Sequence, residues 1–181
     1  MKLLESFITL ATATLALIML QPTETVVLPA HAQVLPQQAT TEGEPDSRVQ
    51  EALDSLGFNY EIEESGVIKV GMRFDGDRTQ VAYISSTTST LGEMEIRTIA
   101  SPANMSEGAL PSEMANQLLK DNANKKLGAW QTVELQDQRH LTIFTAQIEA
   151  NSSPEQLRSA LYAVLTTADE MEAELNGGDR F

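Results

Sequence analysis

The sequence predicts an α+β domain, a mainly antiparallel sheet in the order α-β-β-β-β-α-β-β-α with its helices packed on one face. Three observations predict it. Apolar residues alternate with polar ones at a period of two in two separate blocks. Apolar spacing of three and four recurs before, between and after those blocks. The strands come in runs instead of alternating singly with helices, which favours antiparallel pairing over a parallel βαβ sheet.

The first helix is predicted over Ser47 to Leu56, with Asp46 or Ser47 as N-cap and Gly57 just past the end. Val49, Ala52, Leu53 and Leu56 share one face and Arg48, Glu51 and Asp54 point away, so this helix covers something. Phe58, Tyr60 and Ile62 alternate with Asn59 and Glu61, and Glu64-Ser65-Gly66 make a turn. Ile68, Val70, Met72 and Phe74 then alternate with Lys69, Gly71 and Arg73, the pattern of a strand with one buried face. Asp75-Gly76 supplies a hairpin turn. A third strand is read from Thr79 to Ser85, a Ser/Thr-rich loop after it, and a fourth strand from Met94 to Ala100. Pro102 is expected to end the sheet run, with Ser101 to Leu110 as an extended loop.

A second helix follows from Pro111 or Ser112 to about Asn122, its apolar side carrying Met114, Leu118 and Leu119. A last hairpin pairs Ala129 to Leu135 with Leu141 to Ile148 across the polar turn Gln136 to His140. The final helix has the strongest start signal: Ser153 as N-cap, Pro154 at the first position, and Gln156 placed to complete a capping box. Leu157, Leu161, Val164, Leu165, Ala168, Met171 and Leu175 form its stripe, and Gly177-Gly178 stops it.

A short helix ending in Leu56-Gly57, an alternating meander, the segment Leu118-Leu119-Lys120-Asp121-Asn122 followed by Leu127-Gly128, a hairpin, and a long last helix containing Ala168-Asp169 together resemble the YbjN domain family. Its members share the fold of type III secretion chaperones. The resemblance lies in element order and spaced apolar residues over most of Ser47 to Leu175. It implies a non-enzymatic, often dimeric module that binds other proteins, with no cofactor and no catalytic residues to carry over.

Ahead of this domain, placed at residues 47–178, the sequence predicts two further segments. Phe7 to Leu20 is an apolar stretch of 14 residues, short of the roughly 18 to 20 that span a bilayer and suited to a signal peptide. Ala30-His31-Ala32 gives an A-x-A site, so residues 1–32 are read as a signal peptide cleaved after Ala32. An uncleaved anchor is the alternative. Residues 33–46, rich in Pro, Gln, Thr and Glu, are read as a flexible leader. The expected location is therefore the periplasm or the exterior, with no membrane attachment after signal removal.

The chain has a net charge of −14, which argues against nucleic acid and anionic lipid as partners, since both select a basic footprint. Cysteine is absent, which removes disulfides, thiolate metal ligands and thiol nucleophiles. Only His140 lies outside the N-terminal segment, so a Ser/His/Asp triad or a multi-histidine metal site is not supported.

The remaining candidates have plain structural readings. Asp75 and Asp77 flank Gly76 like the start of a calcium loop but lack the further ligands in register, and a hairpin turn suffices. Glu61, Glu63 and Glu64, and likewise Glu93 and Glu95, are carboxylates in reach of an acid–base role, but their alternation places them on a solvated face. His140 reads as a surface turn residue. Asn104-Met105-Ser106 and Asn151-Ser152-Ser153 fit the glycosylation triplet, and the second already has a purpose in starting the last helix. Trp130 has the parity opposite to Val133 and Leu135. On an unbroken alternation it joins Leu141 and Ile143 in an apolar patch on the sheet face away from the helices, a partner-binding surface. A bulge, or the second helix lying over the patch, would instead make it core.

The expected function is an exported, non-enzymatic protein-binding module, chaperone-like or regulatory, acting on a protein partner or on a second copy of itself, with no cofactor and no metal. The alternative is an acidic exported hydrolase using a carboxylate pair or a bound metal.

Overall fold

The computed structural model describes residues 43–181. The expected signal peptide at 1–32, its expected cleavage site and the expected leader up to residue 42 lie outside the described residues. Three helices and six strands follow in the predicted order: α1 (Ser47–Leu56), β1 (Tyr60–Ile62), β2 (Ile68–Arg73), β3 (Thr79–Leu91), β4 (Met94–Glu107), α2 (Ser112–Asn122), β5 (Ala129–Glu134), β6 (Arg139–Glu149) and α3 (Pro154–Asn176). The sheet order is β1-β2-β3-β4-β6-β5, and every neighbouring pair is antiparallel. Because β6 returns to lie between β4 and β5, the α2–β5 excursion ends on the sheet edge.

Local chemistry accounts for the helices. Asp46 accepts from the Arg48 N–H to cap α1, and Gly57 closes it at φ 71° in the left-handed region that a glycine enters without a Cβ clash. At α3 the capping box is complete: Ser153 accepts from the Gln156 N–H, while Gln156 accepts from the Ser153 N–H. The α3 stripe, with Leu161, Val164, Leu165 and Ala168 fully buried, lies against β3, β4 and β6. Beneath it sits the row Ile68–Ile84–Ile99–Ala146, one residue from each of four strands.

Two expectations fail in the middle of the sheet. The Ser/Thr-rich loop is strand: β3 continues to Leu91 and makes a long hairpin with β4, since threonine suits extended backbone as well as it suits loops. Pro102 does not end β4, which runs on to Glu107. The register slips between Pro102 and Asn104. A bulge of this kind is the place where an inner strand tolerates a residue with no N–H to donate. The Pro102 carbonyl is still used, accepting from the buried Gln80 side chain at 3.1 Å.

Candidate interaction surface

Register decides which face each side chain occupies. Trp130 stands directly opposite Phe144, which is completely buried under the helices, so the two share the helix-covered face. Trp130 is 7% exposed, its ring meets Phe144 edge-on at 5.1 Å between centroids, and its Nε1 donates to Asp121 Oδ2 at 2.7 Å. Its backbone N–H donates to Asn122 Oδ1, also at 2.7 Å. The patch that was to join Trp130 to Leu141 and Ile143 therefore does not exist. Trp130 is core, clamped by the end of α2, while Leu141 and Ile143 lie on the opposite face.

The cause is an inverted parity in β5 and not a bulge. Val133, read as inward, pairs with Leu141 on the open face and is 41% exposed. On this face a half-buried apolar strip runs through Val81, Tyr83, Ile143, Leu141 and Val133, beside the buried Pro102. Among the described residues no helix covers it. All three helices belong to the single core on the other side.

The carboxylates separate into exposed and structural groups. Glu61, Glu63, Glu64 and Glu93 are exposed, Glu61 facing Lys69 at 3.3 Å across β1 and β2. Asp75 and Asp77 occupy a single tight turn between β2 and β3, with Gly76 and Asp77 both at positive φ. Glu95 departs from its expected place. It accepts from Arg48 through both carboxylate oxygens at 2.8 Å and from Thr88 at 2.7 Å. Arg48 also grips Asp46, and the 1% exposed Arg97 donates to Asp46 and to the Ser85 carbonyl. This cluster ties the start of α1 to the β3–β4 hairpin. Spacing in the sequence does not disclose it, because its members come from positions 46, 48, 88, 95 and 97.

The charges set a pH dependence. Hydrogen bonds from Arg48, then Thr88, bring the Glu95 carboxyl down to about 2 from its ordinary 4.5. Burial by itself would raise Asp46, but the hydrogen bonds from Arg48 and Arg97 outweigh it and hold the carboxyl well below its ordinary 3.8. A depressed carboxyl stabilises the fold above its unfolded value and loses that contribution as pH falls through the folded one. The contribution of these two groups should therefore be constant above about pH 5 and drain from about 4.5 towards 2. Glu95→Gln should remove about 1–2 kcal/mol of that acid dependence, the side chains of Arg48 and Glu95 being partly screened by solvent. Urea midpoints across pH, measured on both proteins, check this: parallel curves would refute it.

A second buried carboxylate lies at the far end of α3. Glu172 is fully buried and accepts from the backbone N–H groups of Arg180 and Phe181 at 2.7 and 3.2 Å, so the C-terminal residues fold back over it. Burial pushes its carboxyl up, opposed by those two N–H groups and by Arg78.

His140 stands in β6 itself, opposite Glu134, and not in the turn; its Nδ1 is buried. Asn104 is a buried residue of a central strand, which closes that triplet to glycan attachment in the folded state. Asn151 accepts from Arg48 at 2.7 Å just before α3. Among the described residues no group of three or more histidines, acids or cysteines is arranged to hold a metal ion. None of their helices is long and apolar enough to cross a membrane.

No protein-family model matches this sequence, and no curated protein matches it. Among solved structures, the chain is similar to the crystal structure of YbjN from E. coli, with 14% identity and a TM-score of 0.47 over 72% of this chain and 92% of that one. The likeness is one of fold alone.

Proposed function

We propose that this is an exported, non-enzymatic module that binds another protein through the open face of its sheet. The observation that supports this is the uncovered apolar strip around Leu141, Ile143 and Val133. A sheet normally buries its apolar face, and an unscattered apolar patch on a protein surface marks a contact more often than an accident of composition. The acidic surface keeps the module soluble and discourages non-specific adhesion. Export rests on the apolar stretch Phe7 to Leu20 and the Ala30-His31-Ala32 site.

The test joins fractionation with affinity capture. N-terminal sequencing of the protein recovered from outside the inner compartment should begin at Gln33. Wild-type chain used as bait in the exporting cell should retain a discrete partner, or itself, and the Leu141→Lys, Ile143→Lys double variant should lose it with an unchanged circular dichroism spectrum. Retention of the same partner by the double variant would remove the sheet face from the function. Recovery of an unprocessed protein in the cytoplasm would remove export.

A further inference from the structure

We propose that the cleft between α2 and β5 takes up one extended polypeptide segment as a seventh strand, a segment with a basic residue before its apolar residues and an acidic residue or free carboxylate after them. This rests on the protein-binding reading above but uses a different surface, the edge of the sheet instead of its face.

The edge is open by geometry. β5 is the last strand of the sheet. Just after it, the Leu135 N–H donates to the Arg139 carbonyl at 2.7 Å, so odd-numbered residues of this hairpin address β6. Trp130 follows the other parity, its N–H turned outward to Asn122. The alternation of an antiparallel pair then directs the N–H and C=O groups of Thr132 and Glu134 outward, where no further strand lies. Asn122 satisfies the edge at Trp130, and the next two outward positions remain for a ligand strand. Backbone pairing of this kind supplies affinity, and pockets for alternate side chains supply choice.

A pocket of that sort adjoins the edge. Leu110, Ala115, Leu118 and Leu119 form its wall and Trp130 and Thr132 its floor, enclosing about 270 Å³. Leu119 is 66% exposed on this wall. Small-molecule pockets run from roughly 300 to 1,000 Å³, so this space suits one or two aliphatic side chains better than a free metabolite.

Charge at the two ends gives the segment a direction. Trp130, at the start of β5, is bound by Asp121 and Asn122 at the end of α2. Glu134, the last residue of β5, marks one end of this edge, and the loop residues Lys125 and Lys126, just ahead of its first residue, mark the other. Lys125 is paired with Asp121 at 3.2 Å. Among the described residues Glu134 and Lys126 have no ion pair. A strand added antiparallel to β5, the arrangement of every neighbouring pair in this sheet, brings its N-terminal end to Glu134 and its C-terminal end to the lysines. Basic first and acidic last is the complementary order.

Two nine-residue peptides of identical composition test this, each with valines alternating with threonines, one beginning in Lys and ending in Glu, the other reversed. Titrated into ¹⁵N-labelled full-length chain, the Lys-first peptide should shift the amides of Leu119, Thr132 and Glu134 and bind at least fivefold more tightly than the reversed one. Glu134→Lys should erase that preference. Thr132→Pro, which removes an outward N–H and leaves the β6 ladder intact, should abolish binding with the other amides unmoved. Equal affinity for the two peptides, or binding that survives Thr132→Pro, would overturn the proposal. Shifts confined to Leu141 and Ile143 would also overturn it while leaving the sheet-face reading in place. The same amides broadening with protein concentration alone would make a second copy the occupant and overturn the dipolar-segment assignment.

Discussion

Trp130→Ala should cost about 3–5 kcal/mol of folding stability, the range for removing a large buried aromatic. The side chain supplies edge-on contact with Phe144, a hydrogen bond to Asp121 and part of the single apolar core. Truncation leaves a cavity between β5 and α2 and strips Asp121 of its indole donor. Since domains of this size hold about 5–15 kcal/mol in total, the variant should melt far below the wild type. Trp130→Phe separates the two contributions: it keeps much of the ring packing and loses the indole N–H, and should cost about 1–2 kcal/mol. Chemical denaturation of the three proteins measures both. A Trp130→Ala protein as stable as wild type but altered in self-association would return the residue to the surface role expected from its sequence position.

Arg97→Ala should be comparably severe, at about 3–5 kcal/mol, for an electrostatic reason. Arg97 is 1% exposed and holds the Asp46 carboxylate and the Ser85 carbonyl. Removing one partner of a buried ion pair strands the other as an uncompensated charge. Asp46 keeps Arg48, which moderates the loss, and its own carboxyl should rise because one of the two guanidinium groups that depress it is gone. Arg97→Met retains the volume of the stem and should cost less than the alanine variant. Amide exchange should show the damage at Arg48 and Val49, where α1 starts, with α3 protected as before. Uniform loosening of every element would instead mean that Arg97 acts through core volume alone.

Helix ends and the turns at Glu64 to Gly66 and at Asp75-Gly76 were legible because their causes are local. Asp46, Gly57, Ser153, Pro154 and Gly177 each act on backbone groups within four residues, and the observed helices start and stop there. Strand ends were less legible, since threonine is compatible with both a loop and a strand, and Pro102 reads as a terminator unless a neighbouring bulge accommodates it. The face occupied by Trp130 was not legible at all. In β5 the sequence Ala-Trp-Gln-Thr-Val-Glu holds apolar residues on both parities, and only pairing with Phe144 decides between them. Glu95 was missed for a similar reason. Its parity looked solvated, but Arg48, brought over by the packing of α1, claims it.

The sequence by itself determined the order and class of the elements, the caps that start and stop the helices, the strongly acidic charge and the absence of thiol chemistry. All of these follow from periodicity, composition and interactions a few residues long. Tertiary structure alone decided that β6 lies between β4 and β5, that Trp130 is core while Leu141 and Ile143 face outward, that the charged residues near α1 form one cluster, and that β5 with α2 borders an open cleft. Each depends on strand register or on contacts between residues tens of positions apart, and shifting a register by one residue moves every side chain of the strand to the other face.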